Sequence, residues 1–119
     1  MARMLLVEDD GDSRRLMGRF LRRSGHAVDE AATGADALAA LAHESYDLVL
    51  VDVRLPDIDG FEVVRRKRDM TGAAETPVVM VTVEDEDILP ADVSVAGWVA
   101  KPFTSRELRG AAEQALVHG

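Results

Sequence analysis

Two rhythms of apolar and polar residues alternate along this chain. Met4–Val7 (MLLV), Leu48–Asp52 (LVLVD) and Pro77–Thr82 (PVVMVT) are short apolar runs. Runs of this length with unbroken apolar character predict strands buried on both faces, as in a central parallel sheet. Ala27–Ala31 (AVDEA) alternates and predicts a shorter strand, and Trp98–Ala100 (WVA) a brief fifth. Between these runs the apolar spacing becomes helical. In DSRRLMGRFLRR, Leu16, Met17, Phe20 and Leu21 share one face, with Asp12 as candidate cap and Gly25 as stop. Thr33 with Asp36, Asp59 with Glu62, and Thr104 with Glu107 have the spacing of helix-start boxes. Leu38 and Leu41 mark the buried side of the second helix, and Leu108, Ala111, Ala112, Ala115 and Leu116 that of the last. Repeated strand–helix alternation of this kind predicts an α/β fold, a doubly wound parallel sheet with helices on both faces.

Composition narrows the class. A chain of 119 residues fits one domain, expected to span 1–119. It is 47% hydrophobic and 30% charged, which suits a globular protein, and its 4% aromatic content leaves the core to aliphatic side chains. The absence of cysteine excludes disulfides, thiolate metal sites and thiol nucleophiles. No apolar run approaches the roughly 20 residues of a membrane span. The N-terminus meets acids too soon for an export signal, so a cytoplasmic setting is expected. A formal net charge of −8 repels phosphate backbones, so direct nucleic-acid binding is not expected. The basic run Arg65–Arg68 (RRKR) reads as a solvated helix face. His26, His43 and His118 share no ligand spacing and read as surface residues.

Ligands of open parallel sheets bind beyond the carboxyl ends of the strands. Glu8, Asp9 and Asp10 follow the first strand, Asp52 ends the third, Thr82 ends the fourth, and Lys101 and Pro102 follow the fifth. If the first and third strands are neighbours, their ends lie roughly 5 Å apart. Carboxylates crowded so closely call for a cation. A hard divalent ion fits, with Mg²⁺ preferred and Mn²⁺ as the alternative. Such an ion keeps water positions that a phosphate can take. Lys101 adds a positive point charge and Thr82 a hydroxyl. Together these groups make a phosphoryl-transfer site in which a carboxylate is the nucleophile. Asp52, alone at the end of the central strand, is the best placed. Asp10 reads as a solvated or helix-start acid.

Four motifs, LLVEDD, LVLVDVRLPDIDG, VVMVT and VAKPF, occur in that order over essentially the whole chain. With them the sequence resembles a response-regulator receiver domain of two-component signalling. The resemblance implies a three-layer (βα)₅ fold with strand order 2-1-3-4-5. It implies Asp52 as phosphoacceptor, supplied by a histidine kinase or a histidine phosphotransfer protein. It implies Mg²⁺ held by Glu8, Asp9, Asp52 and the backbone carbonyl of Arg54. Thr82 and Lys101 would bind the phosphoryl group, Trp98 stands at the switch-aromatic position, and a cis bond is implied before Pro102. The output would be another domain or a protein partner.

The segment from Val83 to Ala100 departs from that family. It is shorter than usual, and Pro90, Val93, Val95 and Gly97 disfavour a helix. The crossover helix there is expected to be short, distorted or absent, with Glu84–Asp87 able to support one helical turn. Val83 replaces a residue that is small in most of the family, which suggests a narrowed path to Asp52. Arg54 stands beside the phosphoryl site and is expected to modulate it. The chain ends at its last helix, as a stand-alone domain or one cut from a longer protein would. A pseudo-receiver, the same fold binding proteins without phosphorylation, is the rival reading. A small phosphatase is disfavoured because no substrate pocket is legible. DIDG is no calcium loop, since Leu55 and Arg66 stand where acids are needed. An aspartyl-phosphate hydrolase would want an acid where Arg54 stands.

Overall fold

The computed structural model describes residues 1–118, and Gly119, the last residue of the expected domain span, lies outside them. The elements are β1 (Arg3–Val7), α1 (Gly11–Arg23), β2 (Ala27–Ala31), α2 (Gly34–His43), β3 (Leu48–Val51), α3 (Gly60–Arg68), β4 (Val78–Thr82), β5 (Gly97–Ala100) and α4 (Ser105–His118). All strand pairs are parallel, in the order β2-β1-β3-β4-β5. This is the expected doubly wound sheet. Leu5, Val7, Val49, Val51 and Met80 face one buried cluster with α2 and α3. Met4, Leu6, Leu48, Leu50, Val79 and Val81 face a second with α1 and α4. The unbroken apolar runs are thus explained: every residue of β3 and β4 is buried.

The helices begin where side chains satisfy their free N–H groups. Thr33 accepts from the Asp36 N–H at 3.0 Å and Asp59 from the Glu62 N–H at 2.9 Å. Glu62 spends its own carboxylate on Arg66, so only half of that expected box forms. Thr104 and Glu107 complete theirs in both directions, at 2.8 and 3.1 Å. At α1 the cap is Asp10, which accepts from the Ser13 N–H at 2.8 Å, while Asp12 pairs with Arg15. The helix therefore begins one residue before Asp12, which had been expected to cap it. Gly25, at φ 91°, closes α1 in the left-handed region. Leu16 is exposed and Leu38 half-buried. Met17, Leu21 and Leu41 are buried as expected, and Ala37 joins Leu41 on the buried face of α2.

No α-helix bridges β4 and β5; the chain makes a 3₁₀ turn at Glu86–Ile88, capped by Asp85 on the Asp87 N–H at 3.0 Å. The rest runs irregularly through Pro90 and returns Leu89, Val93 and Val95 to the α2–α3 cluster. A groove of about 860 Å³ opens beside it, between the ends of α3 and α4, walled by Val64, Lys67, Val95, Gly97 and Trp98 among others.

RRKR is not wholly a solvated face. Lys67 is only 3% exposed, and its ammonium donates to the carbonyls of Ala73 and Ala74 at 2.9 and 3.2 Å. The turn after α3 bends back over the helix end, so the lysine meets carbonyls rather than water, and burial pulls its pKa down. The flanking Arg65 and Arg68 pair with Asp92. His26 is not a surface residue either: its side chain is 8% exposed. Nδ1 accepts from the Ala2 N–H at 3.1 Å, so the ring proton sits on Nε2, which faces Glu113 Oε1 at 3.1 Å. The ring joins the start of β1 to α4. His43 and His118 are exposed, as expected.

Candidate phosphoryl-transfer site

The register of the sheet assembles the site. Val7 of β1 pairs with Val51 of β3, so the next residues, Glu8 and Asp52, emerge side by side. The ladder extends past the strands: the Asp52 N–H donates to Val7 O at 3.1 Å and the Lys101 N–H to Thr82 O at 2.9 Å. Glu8 is 2% exposed, Asp52 6% and Thr82 0%. Lys101 reaches over from the end of β5, donating to Asp52 Oδ2 at 2.7 Å and pairing with Glu8 Oε1. Burial pushes the Glu8 carboxyl up, against the opposing pull of Lys101. Burial lowers the Lys101 pKa, but the hydrogen bonds it donates to Asp52 and Glu8 outweigh that and raise it above the ordinary lysine value. Lys101 is therefore held charged between two carboxylates.

Each oxygen of Glu8 is engaged: Oε1 by Lys101 and, at 3.4 Å, the Ser13 hydroxyl, and Oε2 by the Asp10 N–H at 3.2 Å. Asp52 Oδ1 accepts the Arg54 N–H at 3.1 Å. Asp9 lies exposed on the β1–α1 turn. Thr82 Oγ1 accepts from the Glu84 N–H at 3.2 Å. Trp98, half-buried in β5, packs against Phe61 with ring centroids 6.3 Å apart, and its Nε1 donates to Glu84 O at 3.1 Å. Val83 is 60% exposed, directly after Thr82. The Lys101–Pro102 bond is cis.

Structure thus brings Glu8, Asp52 and Lys101 into direct contact, with the Arg54 backbone on Asp52. Thr82 and Trp98 join through Glu84 rather than through Asp52. The loop from Val53 to Asp59 is anchored from outside. Asp57 accepts the N–H groups of Gly34 and Ala35 at 2.9 and 2.8 Å, capping α2 from another loop, and those bonds lower its pKa. Gly60 is needed for a steric reason: a Cβ there would lie 2.2 Å from the Asp52 carbonyl oxygen. The roles of Glu84 and Asp57 were not legible in the sequence, because Arg54 and Trp98, and Gly34 and Ala35, lie far from them along the chain. The glycine in DIDG was the one local signal of Gly60's close approach.

Among the described residues, no three acidic or histidine side chains converge into a dedicated metal cage. Mg²⁺ does not need one, since it commonly binds through one or two carboxylates and keeps its waters. Two buried carboxylates face one ammonium, and Asp9 follows Glu8 directly in the chain on the exposed β1–α1 turn. That donor set fits a hard divalent ion.

The sequence model of the response regulator receiver domain family matches residues 4–113. The chain belongs to that family: it is a signalling receiver domain of the two-component response regulators. It is 36% identical over 109 residues to the transcriptional regulatory protein ResD of Bacillus subtilis, covering 89% of this chain and 44% of that one. It is 36% identical over 122 residues to AfsQ1 of Streptomyces coelicolor, covering 100% of this chain and 53% of that one. The chain thus spans about half the length of the curated relatives it matches. Its fold matches the chemotaxis response regulator CheY4 of Vibrio cholerae with a TM-score of 0.90, at 30% identity over 97% of this chain and 98% of that one. It also matches the receiver domain of the sensor histidine kinase PA1611 of Pseudomonas aeruginosa, described with a magnesium ion coordinated in its active site cleft. There the TM-score is 0.88, at 27% identity and 98% coverage of both chains.

Proposed function

We propose that Asp52 accepts a phosphoryl group from a phosphohistidine of a kinase or phosphotransfer partner, and that the charged product switches an output. The observation that carries this reading is the buried contact of Asp52 with Lys101 at the carboxyl end of the central strand. An Asp52 oxygen attacks phosphorus. The O–P bond forms as the N–P bond breaks, and the departing imidazole keeps the electron pair and takes up a proton. Lys101 supports the negative charge gathering on the phosphoryl oxygens. The Arg54 N–H orients the carboxylate through Oδ1. Thr82 contributes its hydroxyl from the end of β4.

Asp9, Asp52 and the Arg54 carbonyl would hold Mg²⁺, or alternatively Mn²⁺. Glu8, whose oxygens both accept hydrogen bonds already, would add mainly charge. When bound, the ion supplies positive charge against the phosphoryl oxygens. The domain would catalyse only its own phosphorylation and hydrolysis. The transcriptional regulators among its relatives suggest an output through a further domain or protein, rather than nucleic-acid contact by this acidic unit. No helix among the described residues is long and apolar enough to cross a membrane. No specific observation favours the pseudo-receiver.

The test is calorimetric titration of Mg²⁺ with beryllofluoride, a phosphoryl mimic. One-to-one binding is expected, lost in Asp52→Ala and weakened in Asp9→Asn. Unchanged binding in Asp52→Ala would contradict the assignment.

A further inference from the structure

Glu84 stood out in the sequence only as one of a run of acids, yet its polar groups reach separate parts of the site. Its N–H donates to Thr82 Oγ1 at 3.2 Å, and its carbonyl accepts from Trp98 Nε1 at 3.1 Å. Its carboxylate accepts from Arg54 Nε at 2.6 Å and also pairs with Nη2 of the same guanidinium. The Arg54 N–H closes the path back to Asp52 Oδ1. Asp52, Arg54, Glu84, Thr82 and Trp98 therefore form one connected set of hydrogen bonds.

We propose that the Arg54–Glu84 ion pair is a latch that holds the start of the β4–β5 loop, and Trp98 with it, in the resting position. Charge gained at Asp52 releases it by drawing Arg54 away from Glu84. This rests on Asp52 being the phosphoacceptor. A phosphoryl group adds about −1.5 to −2 of charge. That charge attracts the guanidinium and repels the carboxylate, so it works on both halves of the pair in the opening direction. The Arg54 side chain is 70% exposed, so the pair is screened by water and weak enough to be exchanged. Loss of the pair frees the Glu84 side chain, and its backbone then no longer fixes Thr82 Oγ1 and the indole. With no α-helix after β4, this contact takes over part of the restraint a packed helix would impose. Arg54 and Glu84 are positioning residues in this scheme. They act on Thr82 and Trp98 through the loop.

Trp98 is the single tryptophan, so tryptophan fluorescence reports on its surroundings alone. Acrylamide quenching would be measured for wild type, Arg54→Ala, Glu84→Gln and the double variant, before and after acetyl phosphate with Mg²⁺, with intact mass recorded on each sample. Before phosphorylation, both single variants are expected to be quenched more than wild type. Their open population should rise by up to about fivefold, the ratio an exposed ion pair can set. The double variant should match the singles. After one phosphoryl addition, wild type should rise toward the variants and the variants should change little. Resting variants that quench like wild type would overturn the latch. So would single effects that add in the double variant, or phosphorylated variants that show the full wild-type increment. A wild type that gains no mass contradicts the reading of Asp52 and the opening step, while the resting comparison still decides the latch itself.

Discussion

Replacing Gly60 by alanine tests how the turn after β3 holds the acceptor. The new Cβ would meet the Asp52 carbonyl oxygen at 2.2 Å, its carbonyl carbon at 3.0 Å and the Val53 Cα at 3.1 Å. All three are backbone atoms, so no side-chain rotation relieves the clash. Gly60 has no positive φ, so its requirement is space and not conformation. Restoring ordinary contact distances moves the start of α3, or Asp52 itself, by roughly 1 Å. Overpacking of this kind costs about 1–3 kcal/mol, and the better helix propensity of alanine returns at most about 1 kcal/mol. A displacement of about 1 Å at a reacting group can cost about 10²-fold in rate. The assay pairs urea denaturation with the rate of acetyl-phosphate labelling followed by intact mass. Gly60→Ala should lower the urea midpoint and slow labelling by one to two orders of magnitude. Gly110→Ala is the internal control. Gly110 lies exposed within α4 with nothing near its missing Cβ, so alanine should stabilise by about 0.5–1 kcal/mol and leave labelling alone. A Gly60→Ala protein with the wild-type midpoint and rate would refute the close-approach reasoning.

Lys101→Met leaves Glu8 and Asp52 as neighbouring buried carboxylates without their cation, and should cost about 3–5 kcal/mol in urea and abolish labelling; Mg²⁺ should restore part of the stability by binding the same charge. Asp57→Ala removes the second cap on α2, beside Thr33, and its effect should depend on pH. The folded pKa of Asp57 lies below the unfolded value. Its stabilisation is therefore complete above about pH 4 and lost as pH falls through the folded pKa. The gap in melting temperature between wild type and Asp57→Ala should be full at pH 7 and shrink in acid; a constant gap would show that the carboxylate charge is not what caps α2. Val83→Ala should label faster with acetyl phosphate, since the exposed isopropyl stands next to Thr82, and equal rates would dismiss Val83 as a gate.

The site was legible where chemistry coincides with the end of an apolar run. LVLV predicts a central strand, a central strand delivers its next residue to the sheet edge, and that residue is Asp52. Lys101 and Thr82 were found by the same logic at β5 and β4. What escaped was set by contacts across the fold. Nothing in RRKR distinguishes Lys67 from the arginines, since its burial depends on a turn that returns the Ala73 and Ala74 carbonyls. His26 is tied down by Ala2 and Glu113, distant in sequence. The loss of the crossover helix was readable because Pro90 and the β-branched residues act locally. The conversion of Glu84 into a hub was not, because it needs Arg54 and Trp98 brought beside it.

The central claim, that Asp52 is the phosphoacceptor, is tested most directly by weighing the intact protein after incubation with acetyl phosphate and Mg²⁺, beside Asp52→Ala and a sample with the metal chelated. One added phosphoryl group in wild type, absent from both controls, is the predicted result. A phosphoryl group that still appears on Asp52→Ala would contradict the account.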